Sequence, residues 1–212
     1  MLFDLQPELD GRLIQLRPLR KEDYEVLYAV AADPLIWEQH PVRDRCKQEV
    51  FKQFFQEALE CGGTLIAIDK KNGQVIGSSR FYGYDTKESE IEIGWTFLAR
   101  SHWGGVYNAE MKQLMLRHAF QYVKKVTFLI GPQNVRLQRS VEKLGAVRTT
   151  RPDTRGGKQS CLRAGCCGIH EAATFESRLV SEVLAGIHTP SIALPTEHQH
   201  FIFEMEPPDE RR

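Results

Sequence analysis

The chain has 212 residues, 42% of them hydrophobic and 26% charged, and its 28 Lys and Arg are balanced by 28 Asp and Glu. A chain of this length buries roughly 70% of its unfolded surface in one core, and no apolar run approaches the ~18 residues of a membrane helix, so a disordered or membrane-spanning chain is excluded. With no net charge and only a modest basic run from Arg148 to Arg163, nucleic acid is not an expected partner.

Residues 12–19 alternate as a strand, and Lys21-Glu22-Asp23 opens a helix with Tyr24, Leu27, Tyr28 and Ala31 on one face, stopped by Asp33-Pro34. A second helix, 45–60, carries an apolar stripe from Val50 to Leu59 and ends at Gly62-Gly63. Strands over 64–68 and 74–83 are joined by Lys71-Asn72-Gly73, whose Asn-Gly pair signals a hairpin. Residues 89–98 form a central strand with Glu90, Glu92, Gly94 and Thr96 on one face and Ile91, Ile93, Trp95 and Phe97 on the other. A helix over 107–122, a strand over 126–130, a short helix capped by Asn134 and ended by Gly145, and a weak strand at 146–150 follow.

From Arg148 to His200 the texture changes, with Phe175 the single aromatic. The segment 171–187 reads as an amphipathic helix presenting Phe175, Leu179, Val183 and Ile187, for which docking in a homodimer is expected. Phe201 to Met205 reads as a closing strand. The five cysteines, with Cys46 and Cys61 isolated and Cys161, Cys166 and Cys167 clustered, do not form a disulfide framework, and the cluster with His170 lacks the spacing of a zinc site, so no metal is expected. The acidic start (Asp4, Glu8, Asp10) has no leader pattern, so a cytoplasmic location is expected.

A turn containing glycine that leads into a helix, as at Trp103-Gly104-Gly105-Val106-Tyr107-Asn108, exposes backbone N–H groups suited to a pyrophosphate. In this context the sequence resembles the GCN5-related N-acetyltransferases (GNAT), in particular the branch of the ribosomal-protein-alanine acetyltransferases. The matching pieces, in family order over about 12–150, are Ile14-Gln-Leu-Arg-Pro-Leu19, Val75-Ile-Gly77, Glu92-Ile-Gly-Trp95, the loop from Trp103 to Glu110, and Asn134-x3-Gln138-Arg139-Ser140-Val-Glu142-Lys143-Leu-Gly145.

The resemblance implies one α/β (α+β) domain over 1–212 with a mixed, mostly antiparallel twisted sheet flanked by helices. Its core would span about 12–150 plus a closing strand at 200–206, with an atypical insertion over about 158–198 in the C-terminal hairpin. It implies acetyl-CoA as co-substrate: pantetheine beside the central strand at Phe97 and Leu98, pyrophosphate on the amides from Trp103 through Gly104, Gly105, Val106 and Tyr107 to Asn108, and Asn134 and Arg139 also on the donor. The family pattern has Gly where this chain has Val106, so Gly105 is expected to take over part of the turn.

Matching also nominates Glu92 as general base, though on a half-buried strand it also reads as a surface carboxylate, with Glu90 on the same face as understudy. The family's acid tyrosine falls at Val141, which leaves Ser140, or unassisted departure of a thiolate whose pKa lies near 8.5, to release CoA. His102, beside the loop, reads as a surface residue or a phosphate contact. The implied activity is acetyl transfer to a primary amine, either a protein N-terminus or a small amine such as a polyamine or aminoglycoside, by direct attack in a ternary complex. The alternative is a catalytically impaired CoA-binding protein of the same fold.

Overall fold

The computed structural model describes residues 2–149 and 201–208. The expected helix at 171–187 with its homodimer contact, the cluster of Cys161, Cys166 and Cys167, and the insertion over 158–198 lie outside the described residues.

Eight strands form one sheet: β1 (Leu9–Asp10), β2 (Ile14–Pro18), β3 (Thr64–Asp69), β4 (Gln74–Asp85), β5 (Glu90–Leu98), β6 (Lys125–Ile130), β7 (Val147–Thr149) and β8 (Phe201–Met205), in the spatial order β1-β2-β3-β4-β5-β6-β8-β7. Every neighbouring pair is antiparallel except β5 and β6, which run parallel. The helices are α1 (Tyr24–Ala31), α2 (Gln48–Cys61), α3 (Val106–Ala119) and α4 (Val135–Glu142). The fold is thus the mixed, mostly antiparallel sheet flanked by helices that the sequence leads one to expect. The helix expected at 45–60 begins instead with a tight 3-10 turn at Arg43–Cys46, and a further 3-10 turn at Pro34–Trp37 buries Ile36 and Trp37.

Two cores sandwich the sheet. On one face α3 contributes Met111, Leu114 and Met115 against Ile14, Leu16, Phe81, Ile91 and Ile93. On the other, α2 sets Phe51, Phe54, Phe55 and Ala58, spaced three and four apart as one helical stripe, against Leu27, Ile66 and Phe97. Glu110 welds α3 to the start of β2, its carboxylate accepting N–H bonds from Arg12 (2.8 Å), Leu13 (2.8 Å) and Ile14 (3.0 Å).

The strict alternation expected along β5 fails at one residue. Ser78 pairs with Phe97 while Arg80 pairs with Gly94, so β5 holds one residue more than β4 over this stretch, and Trp95 takes a φ of +49°. This bulge reverses the parity of the strand. Ile91 and Ile93 face α3 before it, whereas Thr96 and Leu98 do so after it; Trp95 and Phe97 thereby join the face toward α2. Glu92 belongs to that same face: it stands opposite Tyr82, whose ring packs against Trp95 at 5.0 Å, and its Oε1 lies 3.0 Å from where a Cβ on Gly94 would stand.

Candidate active site

β5 and β6 pair only through Glu90 with Lys125, Ile91 with Val126 and Glu92 with Thr127, and beyond that point the two strands part. A cavity of about 670 Å³ continues from the gap. Thr96, Phe97 and Leu98 of β5 form one wall, the start of α3 and α4 the other, and Ile36, Trp37 and His40 close it on the α2 face. The cavity thus reaches from the starts of α3 and α4 to the side chains that cover the α2 face of the sheet.

Of the residues singled out from sequence, Phe97, Leu98, Trp103, Gly104, Gly105, Asn108, Asn134, Arg139 and Ser140 all line this cavity. Glu92 lies at the vertex of the splay, buried with 3% of its surface exposed and not a surface carboxylate; Glu90 is buried too. Val106 and Tyr107 do not line the cavity. Val106 is exposed as the first residue of α3, and the Tyr107 ring packs on His102 at 4.6 Å, so only their backbone N–H groups, which have no partner within the helix, are placed to serve a ligand.

The turn before α3 differs from expectation in one respect. Gly104, not Gly105, takes the left-handed conformation (φ +70°), while Gly105 is the extended cap (φ −133°), so Val106 enters the helix without a positive φ. His102 is held by Asp69 (Nε2 to Oδ2, 3.3 Å) and by Ser101 (2.9 Å), away from the open surface. The Lys71 backbone N–H, reinforced by His102, holds the Asp69 carboxyl below the usual carboxylate range.

Asn134 caps α4, its Oδ1 accepting the Leu137 N–H at 3.2 Å, which leaves its amide nitrogen to a ligand. Asn108 donates to Ser140 Oγ at 2.7 Å and ties the two helices together across the cavity wall. Val141, at the position of the family's acid tyrosine, is fully buried.

Several residues of the site carry no sequence signal. Trp37 and His40 come from the 3-10 turn and its exit, which periodicity does not reveal. Arg136 sets its guanidinium 3.7 Å from the Trp103 ring centroid, and burial pulls its pKa down despite Glu38. With Arg139 and Lys143 it gives the α4 wall a cationic lip beside the free amides of α3. A gap edged by unpaired β5 backbone, free amides and three cations fits an elongated ligand with an amide-bearing arm and phosphates.

A profile of the acetyltransferase (GNAT) domain matches residues 12–147. The chain belongs to the GNAT acetyltransferase family. Solved GNAT structures share the fold. An acetyltransferase from Bacillus anthracis is 19% identical with a TM-score of 0.58, over 67% of this chain and 84% of that one. A candidate acetyltransferase from Thermus thermophilus is 27% identical with a TM-score of 0.57, over 69% and 79%. A candidate ribosomal-protein-serine acetyltransferase from Vibrio cholerae is 13% identical with a TM-score of 0.60, over 95% and 98%. No curated protein matches the sequence. As a GNAT domain the chain is an acetyltransferase with acetyl-CoA as co-substrate.

Proposed function

We propose that the protein transfers acetyl from acetyl-CoA to a primary amine by direct attack in a ternary complex, with Glu92 taking the amine's proton directly or through water. The observation that carries this reading is the placement of a buried carboxylate, Glu92, at the last paired position of β5 and β6, four residues before Thr96, where β5 begins to line the cavity. Acetyl-CoA supplies a thioester activated toward attack. The first turn of α3 and the cations of α4 bind its phosphates, and Asn134 the amide-bearing arm.

The acceptor lies on the α2 side of the cavity, against Trp37 and His40. A protein N-terminus is the favoured acceptor, since an α-amine with a pKa of about 7.7 to 8 is substantially neutral near pH 7 and a lysine amine is not. The motifs shared with ribosomal-protein acetyltransferases, and a Vibrio cholerae neighbour named for that activity, support the same choice.

Release of CoA thiol from acetyl-CoA across peptide N-termini, polyamines and aminoglycosides tests the reading. Glu92→Gln is expected to lower kcat by about 10² to 10⁴ with little change in acetyl-CoA binding. A loss below threefold would overturn the assignment of Glu92. The buried Val141 favours one second reading, a protein that binds CoA without turnover; acetyl-CoA binding with no thiol release for any acceptor would establish it.

A further inference from the structure

Breaking a thioester leaves a thiolate, and the position from which the family would protonate it is filled by Val141, an aliphatic side chain in the core. On the opposite wall lies an arrangement that the reading above does not use. Lys112 of α3 is buried, with 1% of its surface exposed. Its ammonium donates to the hydroxyls of Thr96 on β5 and Ser79 on β4 (3.2 Å to the latter), and its third direction faces the Phe128 ring of β6, 5.7 Å from the centroid.

The two hydroxyls are themselves 2.8 Å apart, and the Thr96 hydroxyl rests on the Gly94 carbonyl at 3.4 Å, a long bond that it can exchange for one to a sulfur. No carboxylate pairs with Lys112 among the described residues. Glu110, two positions along α3, is committed to the backbone at 12–14, and Glu92 is on the far face of β5. Burial pushes the amine down to about 7, where it exchanges a proton readily near neutral pH.

Thr96 connects this buried amine to the cavity. It is half-buried, lines the cavity, and follows directly on the bulge at Trp95. Of the three β5 residues on that wall it is the one nearest Glu92, and so nearest the vertex where the amine must meet the thioester. We propose that Thr96 is the proton donor to the departing sulfur, with Lys112 as the positioning residue that orients its hydroxyl and replaces the proton. This rests on the acetyl-CoA reading of the cavity.

The acceptor nitrogen bonds to the carbonyl carbon, the C–S bond breaks with its electron pair left on sulfur, and the Thr96 proton passes to sulfur. Lys112 passes a proton to the Thr96 oxygen and is left neutral until the emptied cavity re-protonates it. The surplus proton of the new amide nitrogen leaves through Glu92.

The test needs no acceptor. CoA itself is bound to the wild type and to the Thr96→Val, Thr96→Ser and Lys112→Met variants, binding is checked by calorimetry, and the thiol is titrated by its ultraviolet thiolate absorbance. In the wild type the bound thiol should ionise about one pH unit or more below free CoA, because a hydroxyl that Lys112 holds toward the sulfur donates to the thiolate and favours the charged form. Thr96→Val and Lys112→Met should return the titration toward that of free CoA, and Thr96→Ser should keep the wild-type value; should Lys112→Met not fold, the Val and Ser pair decides. Equal titrations in the wild type and in Thr96→Val, with CoA bound in both, would overturn the proposal, as would a shift abolished by Ser140→Ala and untouched by Thr96→Val. Failure of the wild type to bind CoA would instead overturn the donor site itself, and this inference with it.

Discussion

Lys112 puts a slope into the stability of the fold as well as a proton beside the cavity. Its pKa is about 7 in the folded chain against 10.5 for an ordinary lysine, so between those values the unfolded chain binds more protons and stability rises with pH. Below about 7 both states are charged and the dependence ends. Urea unfolding of the wild type and of Lys112→Met at pH 7.5 and 9.5 should show the wild type gaining on the variant at the higher pH, by at most about 1.4 kcal/mol per unit. A constant difference would mean that the ammonium is not desolvated. Lys112 is invisible in sequence for a simple reason: a lysine between Met111 and Gln113 reads as a solvated position of an amphipathic helix. The left-handed Trp95 is equally silent, since nothing in Ile-Gly-Trp-Thr marks which residue will absorb the extra length of β5. The place of Glu92 on β5, by contrast, was legible from the strand's alternation, although not its burial.

At the scale of elements, the two helix starts that face the cavity divide the work. Gly104 supplies the positive φ that turns the chain into α3, and Gly104→Pro, which cannot adopt it, should abolish the rise in melting temperature that acetyl-CoA produces. An undiminished rise in a folded variant would place the phosphates elsewhere. Asn134→Ala removes the cap of α4 and should cost about 1 kcal/mol in the free protein, with a further loss of acetyl-CoA affinity seen by calorimetry. If affinity is unchanged, Asn134 is a cap alone. The long elements were readable because their periods are clear: α2 in its phenylalanine stripe, β3 and β4 around Asn72-Gly73, and β8 in Phe201 to Met205. The 3-10 turn at Pro34–Trp37 was not, since four residues give no period to read, and with it Trp37 and His40 escaped notice.

At the scale of the whole molecule, the sheet is completed by a strand remote in sequence. β8 inserts between β6 and β7, pairing Phe203 with both Phe128 and Arg148, so the strand nearest the C-terminus holds that edge together. Phe203 is fully buried, and Phe203→Ala should cost about 3 to 5 kcal/mol by chemical denaturation. A cost near zero would show β8 to be dispensable.

The short pairing of β5 with β6 has a mechanical side. Only three residues of parallel ladder join β5 to β6, and the rest of the link between the two sides of the sheet is side-chain packing, with Phe128 and Phe203 in the core under α3 and Asn108 bonded to Ser140. Backbone pairing is thinnest at this seam, and a donor lying in the gap would replace the missing ladder with its own amides. Acetyl-CoA should then act as a splint. Amide exchange should slow most in β6 and β8, including strand positions that no ligand touches, while β2 and β3 on the far side of the sheet keep their rates.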